Sequence, residues 1–293
     1  MYPSPFEYHA PSSVGEAIEL LQRYGDEAKV LSGGQSLIPM MNLRLLTPAY
    51  LVDINGVENG TLQLDGDALR IPALARQRTI EYGANVREHC PILADAVRFI
   101  GNVRVRTRGT VGGNLAHADP SSELSVAALA SGASVTITGP NGSRGAPLSD
   151  LFVTYMTTSL ELDELITELR IPVMGRDTGW AFLEMARRAG EFAIVNVAAL
   201  VTIEPKNGSP VAVSAVLGGV ADTPVDVSDE ISEAIVGSSD AGAFAEAGSR
   251  AASAIEPRSD IHASSEYRKE LVRVYTARAL ELAYDRAQQR TRT

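Results

Sequence analysis

Two short segments set adjacent glycines among small polar residues: Ser32-Gly33-Gly34-Gln35-Ser36-Leu37 and Thr110-Val111-Gly112-Gly113-Asn114. Glycine lets a backbone take positive φ and approach a ligand closely. Successive N–H groups in such a turn can form a nest for an anion, and Ser32 and Ser36 add hydroxyl donors. Neither segment has the dinucleotide fingerprint G-x-G-x-x-G or the P-loop pattern G-x-x-x-x-G-K-S/T, which disfavours a Rossmann dehydrogenase and a P-loop ATPase. Either pair alone also reads as a tight turn, since glycine serves turns widely. Two pairs in one chain, each leading from a strand or turn towards a helix, fit a ligand with a long diphosphate.

Other reactive side chains are sparse. The single cysteine, Cys90, excludes an intrachain disulfide, a four-cysteine zinc site and an iron–sulfur cluster held by this chain. Before Pro91, at an expected helix start, it reads either as a reactive thiol or as a plain buried cysteine, the commoner case. Four scattered histidines offer no metal-ligand spacing, and His117 reads as a loop residue beside the second glycine pair. Arg104, Arg106 and Arg108 alternate; on an extended segment they would share one side, facing phosphates, a partner or solvent. The basic run from Arg286 to Arg292 reads as a frayed helix end and tail.

The elements that must position these residues follow from pattern. Ser13 and Glu16 have capping-box spacing ahead of a helix to Tyr24, with Gly25 as its stop and Val14, Ala17, Ile18, Leu21 and Tyr24 as its apolar stripe. A strand over Ala28–Leu31 runs into the first glycine pair, and a brief helix limited by Pro39 and Pro48 follows. Tyr50–Ile54 reads as a strand, and the runs 62–64 and 69–71 as a hairpin about Asp65-Gly66-Asp67. Helices are expected over Thr79–Val86, Ile92–Ile100 and Ser122–Ser131, with the second glycine segment as a loop. Strands are expected over Ala133–Thr138 and Leu165–Ile171, with a turn at Gly139-Pro140-Asn141-Gly142.

Composition changes over Val173–Gly179, where the apolar pattern stops. Three strands then read as an antiparallel meander: Trp180–Arg187, Ala193–Ile203 and Val211–Gly218. Helices follow over Ser228–Val236, Ala241–Ala254 and Ser264–Gln289, the last with Tyr267, Leu271, Val274 and Arg278 along one line. Sheet first and helices after is an α+β arrangement.

The 293 residues allow two domains at about 100–200 residues each. The formal charge of −10 is a poor default for nucleic acid. No apolar run approaches the roughly 20 residues of a membrane helix, and Met1-Tyr2-Pro3-Ser4-Pro5 lacks a basic, apolar leader. The chain is therefore expected to be soluble and cytoplasmic, with no transmembrane segment and no nucleic-acid partner.

Four motifs in order, with a similar opening, make the sequence recognisable. Leu31-Ser32-Gly33-Gly34-Gln35-Ser36-Leu37-Ile38-Pro39, continuing to Leu51-Val52-Asp53-Ile54, closely resembles a signature of the FAD-binding medium subunits of the molybdenum hydroxylases. That family includes carbon monoxide dehydrogenase, bacterial N-heterocycle hydroxylases and the flavin domain of xanthine dehydrogenase. Thr110-Val111-Gly112-Gly113-Asn114-Leu115-Ala116-His117-Ala118-Asp119-Pro120 resembles its second signature, and residues 186–195 its second-domain motif. Ser265-Glu266-Tyr267-Arg268 is similar to the start of its last helix, and Phe6-Glu7-Tyr8 to its opening.

The resemblance implies a vanillyl-alcohol-oxidase-type FAD-binding domain over residues 1–175, made of two α/β subdomains (about 1–58 and 59–175). A C-terminal α+β domain with an antiparallel three-stranded sheet would occupy residues 176–293. It implies that Ser32, Gly33, Gly34, Gln35, Ser36 and Leu37, with Thr110, Val111, Gly112, Gly113 and Asn114, hold the FAD diphosphate mostly through backbone N–H groups. Glu123 would lie near the ADP half and Phe192 near the isoalloxazine. The family often carries lysine where this chain has Leu183-Glu184-Met185, and Glu184 is expected as a solvated strand residue.

No catalytic dyad and no metal ligands are expected in the chain itself. The implied partners are a large molybdenum-cofactor subunit and a small subunit with two [2Fe–2S] clusters, in a dimer of heterotrimers. FAD would take electrons from the nearer cluster and pass them to an external acceptor. His117-Ala118-Asp119, in place of the Asn-Gly or His-Gly pair before the aspartate in carbon monoxide dehydrogenases, leans towards an aromatic N-heterocycle as substrate. A medium subunit of an aerobic carbon monoxide dehydrogenase, a free-standing flavin oxidoreductase and a cofactor-free binding module are the competing readings.

Overall fold

A computed structural model describes residues 2–58, 60–238 and 240–292. The chain begins with β1 (Glu7–His9), α1 (Val14–Tyr24), β2 (Ala28–Leu31), α2 (Leu37–Asn42) and β3 (Tyr50–Asp53). The three strands form a parallel sheet in the order β1-β3-β2. Helix α1 starts where expected: the Ser13 hydroxyl accepts from the Glu16 N–H at 3.1 Å. The reciprocal bond is shifted by one residue, because the Glu16 carboxylate accepts from the Ser12 N–H at 2.7 Å. Ala17, Ile18 and Leu21 are buried against Val52 and Ile54. Three-residue β1 is too short to show a period, and only its place in the resemblance marks it.

The second unit holds β4 (Gln63–Asp65), β5 (Ala68–Pro72), α3 (Gln77–Tyr82), α4 (Ala84–His89), α5 (Pro91–Val97), α6 (Val103–Arg108), α7 (Val111–His117) and α8 (Glu123–Ala130). It continues with β6 (Ser134–Gly139), β7 (Gly142–Pro147), β8 (Phe152–Thr154), β9 (Thr157–Thr158) and β10 (Leu165–Pro172). Five of its strands form an antiparallel sheet in the order β4-β5-β10-β6-β7; the expected β4–β5 hairpin is in place, and the expected turn at 139–142 joins β6 to β7, a strand the sequence reading does not include.

Three expectations change here. The helix expected over 79–86 is two helices broken at Gly83, whose extended ψ of 123° ends α3. The arginines 104, 106 and 108 lie on helix α6, not on an extended segment, so Arg104 and Arg108, one turn apart, share a side and Arg106 points away from it. Arg106 turns inward, and its Nε lies 2.9 Å from a carboxylate oxygen of the buried Glu81. The second glycine segment is the first turn of α7 and not a loop.

The last unit is β11 (Thr178–Met185), β12 (Val195–Ile203), β13 (Pro210–Gly218), β14 (Val225–Asp226), α9 (Ser228–Ile235), α10 (Ala241–Ser253) and α11 (Ser265–Thr291). The expected meander is present, with two-residue β14 as a fourth strand. Helix α11 crosses the sheet at close range: a Cβ on Gly179 would lie 1.9 Å from the Ala283 carbonyl oxygen. Its buried line is Arg268, Val272, Thr276, Ala279, Ala283 and Ala287. Among the expected line, Leu271 is buried but Tyr267 is 45% exposed.

Helix α8 is apolar on all sides because it sits between α5 and the β12–β13 face. Trp180 Nε1 donates to Asp95 at 2.9 Å across the same junction. Arg286 donates to the Trp180 carbonyl and lies over its ring, so the basic C-terminal run begins as part of this junction and not as a frayed end. Among the described residues no helix is long and apolar enough to cross a membrane.

Candidate functional site

The two glycine segments, 78 residues apart in sequence, meet. Strand β2 ends at Leu31 and delivers Ser32, whose Oγ lies 2.7 Å from Thr110 Oγ1. Thr110 caps α7, where its Oγ1 accepts the Gly113 N–H at 3.1 Å. Gly33 must be glycine at this crossing: a Cβ would stand 2.7 Å from the Arg108 carbonyl oxygen and from Gly109 Cα. Gly34 has a φ of +71°, the left-handed region that glycine enters without strain. Gly112 has its own close neighbour, Ala73, at 2.6 Å from a built Cβ.

The segments differ in what they leave free. The N–H groups of Gly33, Gly34, Gln35 and Ser36 donate to no acceptor among the described residues. Four free consecutive donors ahead of α2 make an anion nest. In the second segment Val111 donates to Ala75 O, Gly112 to Ala73 O, Gly113 to Thr110 Oγ1 and Asn114 to Thr110 O. Its backbone donors from Val111 to Asn114 are therefore occupied, which differs from the expectation that both segments act mostly through N–H groups. What it presents instead is a wall: Thr110 and, in the next turn, the Asn114 amide, whose Oδ1 accepts from Ser122 at 2.6 Å. Leu37 opens α2, half-buried, and Val111 is fully buried in the core.

Two residues that sequence reasoning missed connect this crossing. Asn55 Nδ2 donates to the Ser32 carbonyl at 2.7 Å. Arg76 Nη2 donates to Asn55 Oδ1 at 2.7 Å, and its Nη1 to the Arg108 carbonyl. Burial, and next the neighbouring Arg108 guanidinium, depress the Arg76 pKa. Burial opposes the charge of Asp53, but hydrogen bonds from Tyr8 and Asn55 outweigh it and hold the carboxyl below its usual range.

Glu123 stands in the first turn of α8, 8% exposed. Burial pushes its carboxyl up to about 8, and like charge on Glu184 and Asp119 adds to the shift. Glu184 is not the solvated residue expected: its Oε2 is buried without a partner, and desolvation raises its carboxyl to about 7. Its cross-strand partner Asn196 is fully buried and donates to the Ser121 carbonyl at 2.7 Å. Phe192, on the β11–β12 loop, is 74% exposed and lines a cavity of about 1040 Å³ together with Asp119, Tyr155 and Arg268. His117 is the last residue of α7, half-buried.

Residues 4–174 match the family model described as the FAD binding domain in molybdopterin dehydrogenase. Residues 180–283 match the CO dehydrogenase flavoprotein C-terminal domain. The chain belongs to the FAD subunits of the molybdenum hydroxylases.

This flavoprotein subunit is 36% identical to the 6-hydroxypseudooxynicotine dehydrogenase complex subunit alpha of Paenarthrobacter nicotinovorans, over 98% of this chain and 97% of that protein. It is also 36% identical to the carbon monoxide dehydrogenase medium chain of Hydrogenophaga pseudoflava, over 98% and 99%. Its fold superposes on quinoline 2-oxidoreductase from Pseudomonas putida 86 with a TM-score of 0.93, at 32% identity, covering 98% of this chain and all of that one. The cofactor of such a subunit is FAD. The nest of free N–H groups at residues 33–36, with hydroxyls and guanidinium groups beside it, fits the dianionic diphosphate of FAD.

Proposed function

We propose that the chain is the electron-transfer subunit of a molybdenum hydroxylase. It would work beside a large molybdenum-cofactor subunit and a small subunit with two [2Fe–2S] clusters, in a dimer of heterotrimers located in the cytoplasm. Bound FAD supplies the change between two-electron and one-electron chemistry, while the protein supplies position and electrostatics. The single observation that carries this reading is the crossing of the two glycine segments at Ser32 and Thr110, with four free backbone donors beside it.

In this reading Gly33, Gly34, Gln35 and Ser36 donate to the diphosphate, and Ser32, Leu37, Thr110, Val111, Gly112, Gly113 and Asn114 form the wall against which it lies. Glu123 stands towards the ADP half and Phe192 covers the isoalloxazine. Residues 1–175 form the FAD-binding domain, divided near residue 58, and 176–293 the second domain. The division has support from the composition change at 173–179 and from the start of the second sheet at Thr178.

The substrate of the complex is proposed to be an aromatic N-heterocycle, on the sequence His117-Ala118-Asp119. Carbon monoxide is an equally supported second reading, because a carbon monoxide dehydrogenase medium chain shares the same 36% identity. Purifying the complex and offering each substrate class with an artificial acceptor tests both. Turnover of a heterocycle with reduction of the chain's flavin is the expected result. A chain that never takes up FAD, or never associates with the two partners, contradicts the proposal.

A further inference from the structure

The contacts about Arg76 close on themselves. Ser32 Oγ meets Thr110 Oγ1 at 2.7 Å. The backbone at Thr110 pairs with that at Arg76, and the ladder is extended by Val111 N–H to Ala75 O (3.0 Å) and Gln77 N–H to Gly109 O (2.9 Å). The Arg76 side chain returns through Asn55 Oδ1, and Asn55 Nδ2 donates to the carbonyl of Ser32, where the circuit began. Asp53 holds the Asn55 end: its Oδ1 accepts from Asn55 N (2.9 Å) and Nδ2 (2.6 Å), and its Oδ2 accepts from the Tyr8 hydroxyl at 2.6 Å.

The ring joins two sheets that share no strand, and it does so around the free donors of residues 33–36. Beside this tie, the segments meet only at the Ser32–Thr110 hydroxyl pair and where Gly33 packs against the Arg108–Gly109 backbone, contacts that set how near they come but not how they are turned. A guanidinium can satisfy two acceptors in one plane, Arg108 O and Asn55 Oδ1, and so set both segments at once. An ammonium is a point donor on a flexible stem and cannot hold that plane.

Resting on the FAD reading above, we propose that Arg76, acting through Asn55, is the positioning residue that pre-organises the two glycine segments for the diphosphate. It acts by geometry, as a two-point tie, more than by its charge. Pre-organisation raises affinity by removing the cost of ordering the site at the moment of binding. The tie therefore governs how tightly FAD is held and leaves the folded core nearly untouched.

The test is FAD titration of the purified, FAD-stripped full-length chain by flavin fluorescence, with thermal midpoint and salt dependence followed in parallel. Arg76→Gln and Asn55→Ala are each expected to raise Kd about tenfold, the effect of losing one charge-assisted hydrogen bond. The thermal midpoint of the stripped chain should move little. Because both residues act in one tie, the double variant should lose no more than about threefold beyond either single one. Arg76→Lys keeps the charge and loses the plane, so its Kd should stay near that of Arg76→Gln, with the wild-type salt dependence.

Full additivity of the two losses, or wild-type affinity in Arg76→Lys, overturns the proposal. So does a Kd unchanged in Arg76→Gln. Failure of the wild-type chain itself to bind FAD would instead remove the underlying reading, and the two failures are thereby distinct.

Discussion

Glu123 at the start of α8 and Glu184 on β11 are carboxylates on opposite sides of the domain junction, close enough that charge on Glu184 raises the Glu123 pKa. Burial is the larger cause for both, lifting Glu123 to about 8 and Glu184 to about 7 from an ordinary 4.5. Between those values the folded chain keeps protons that the unfolded chain has released. The stability these groups contribute is then greatest below about pH 4.5 and is lost as pH rises through 7 to 8. Glu123→Gln should raise the thermal midpoint of the FAD-free chain above about pH 8, with the gain shrinking towards pH 5. A gain that is the same at both pH values would show that burial of the charge is not its source.

Gly33→Ala puts a methyl group 2.7 Å from the Arg108 carbonyl oxygen and Gly109 Cα. Both neighbours are backbone, so the two segments must part. Overpacking of this kind costs about 1–3 kcal/mol. Flavin content should fall with it, as measured by absorbance of the purified chain. Gly179→Ala is the contrast: its methyl group would meet α11 at 1.9 Å and destabilise the second domain at a distance from the glycine segments. Full flavin content in Gly33→Ala would contradict the close crossing.

Cys90 is the N-cap residue of α5, a position that can favour a thiolate, but it is 1% exposed. Burial prevails and pushes its thiol up to about 11. A thiol reagent such as DTNB at about pH 8 should therefore find no reactive cysteine in the folded chain, and one after denaturation. Rapid labelling of the native chain would be the opposite outcome.

Phe192 has little packing to lose, being 74% exposed. Phe192→Ala should change stability by less than about 0.5 kcal/mol. The fluorescence of bound flavin and its reoxidation by oxygen should both increase if the ring covers the isoalloxazine. An unaltered flavin signal would place the ring elsewhere.

The sequence disclosed the elements well where a period was long enough. The meander of β11–β13 shows as apolar runs, and α1 carries its cap and stripe in Ser13, Glu16, Ala17 and Leu21. The second glycine segment reads as a loop because paired glycines weaken a helix, yet Thr110 caps it and Ala73 demands a glycine at Gly112. Arg104, Arg106 and Arg108 alternate like a strand, but the Asn102 side chain, accepting from the N–H groups of Arg104 and Val105, starts a helix there. Asn55 and Arg76 left no signal, since neither sits in a motif and each matters only through partners distant in sequence. Glu184 reads as an ordinary strand carboxylate until α8 is packed against its face.

In the proposed function, FAD held by this chain is the exit for electrons. The most direct measurement compares the complex with and without FAD in this subunit, following the [2Fe–2S] absorbance after substrate is added and then the reduction of an external acceptor. With FAD removed, the clusters should still bleach on substrate addition, while acceptor reduction should fall at least about tenfold and return when FAD is restored. Acceptor reduction at an undiminished rate without FAD would contradict the account.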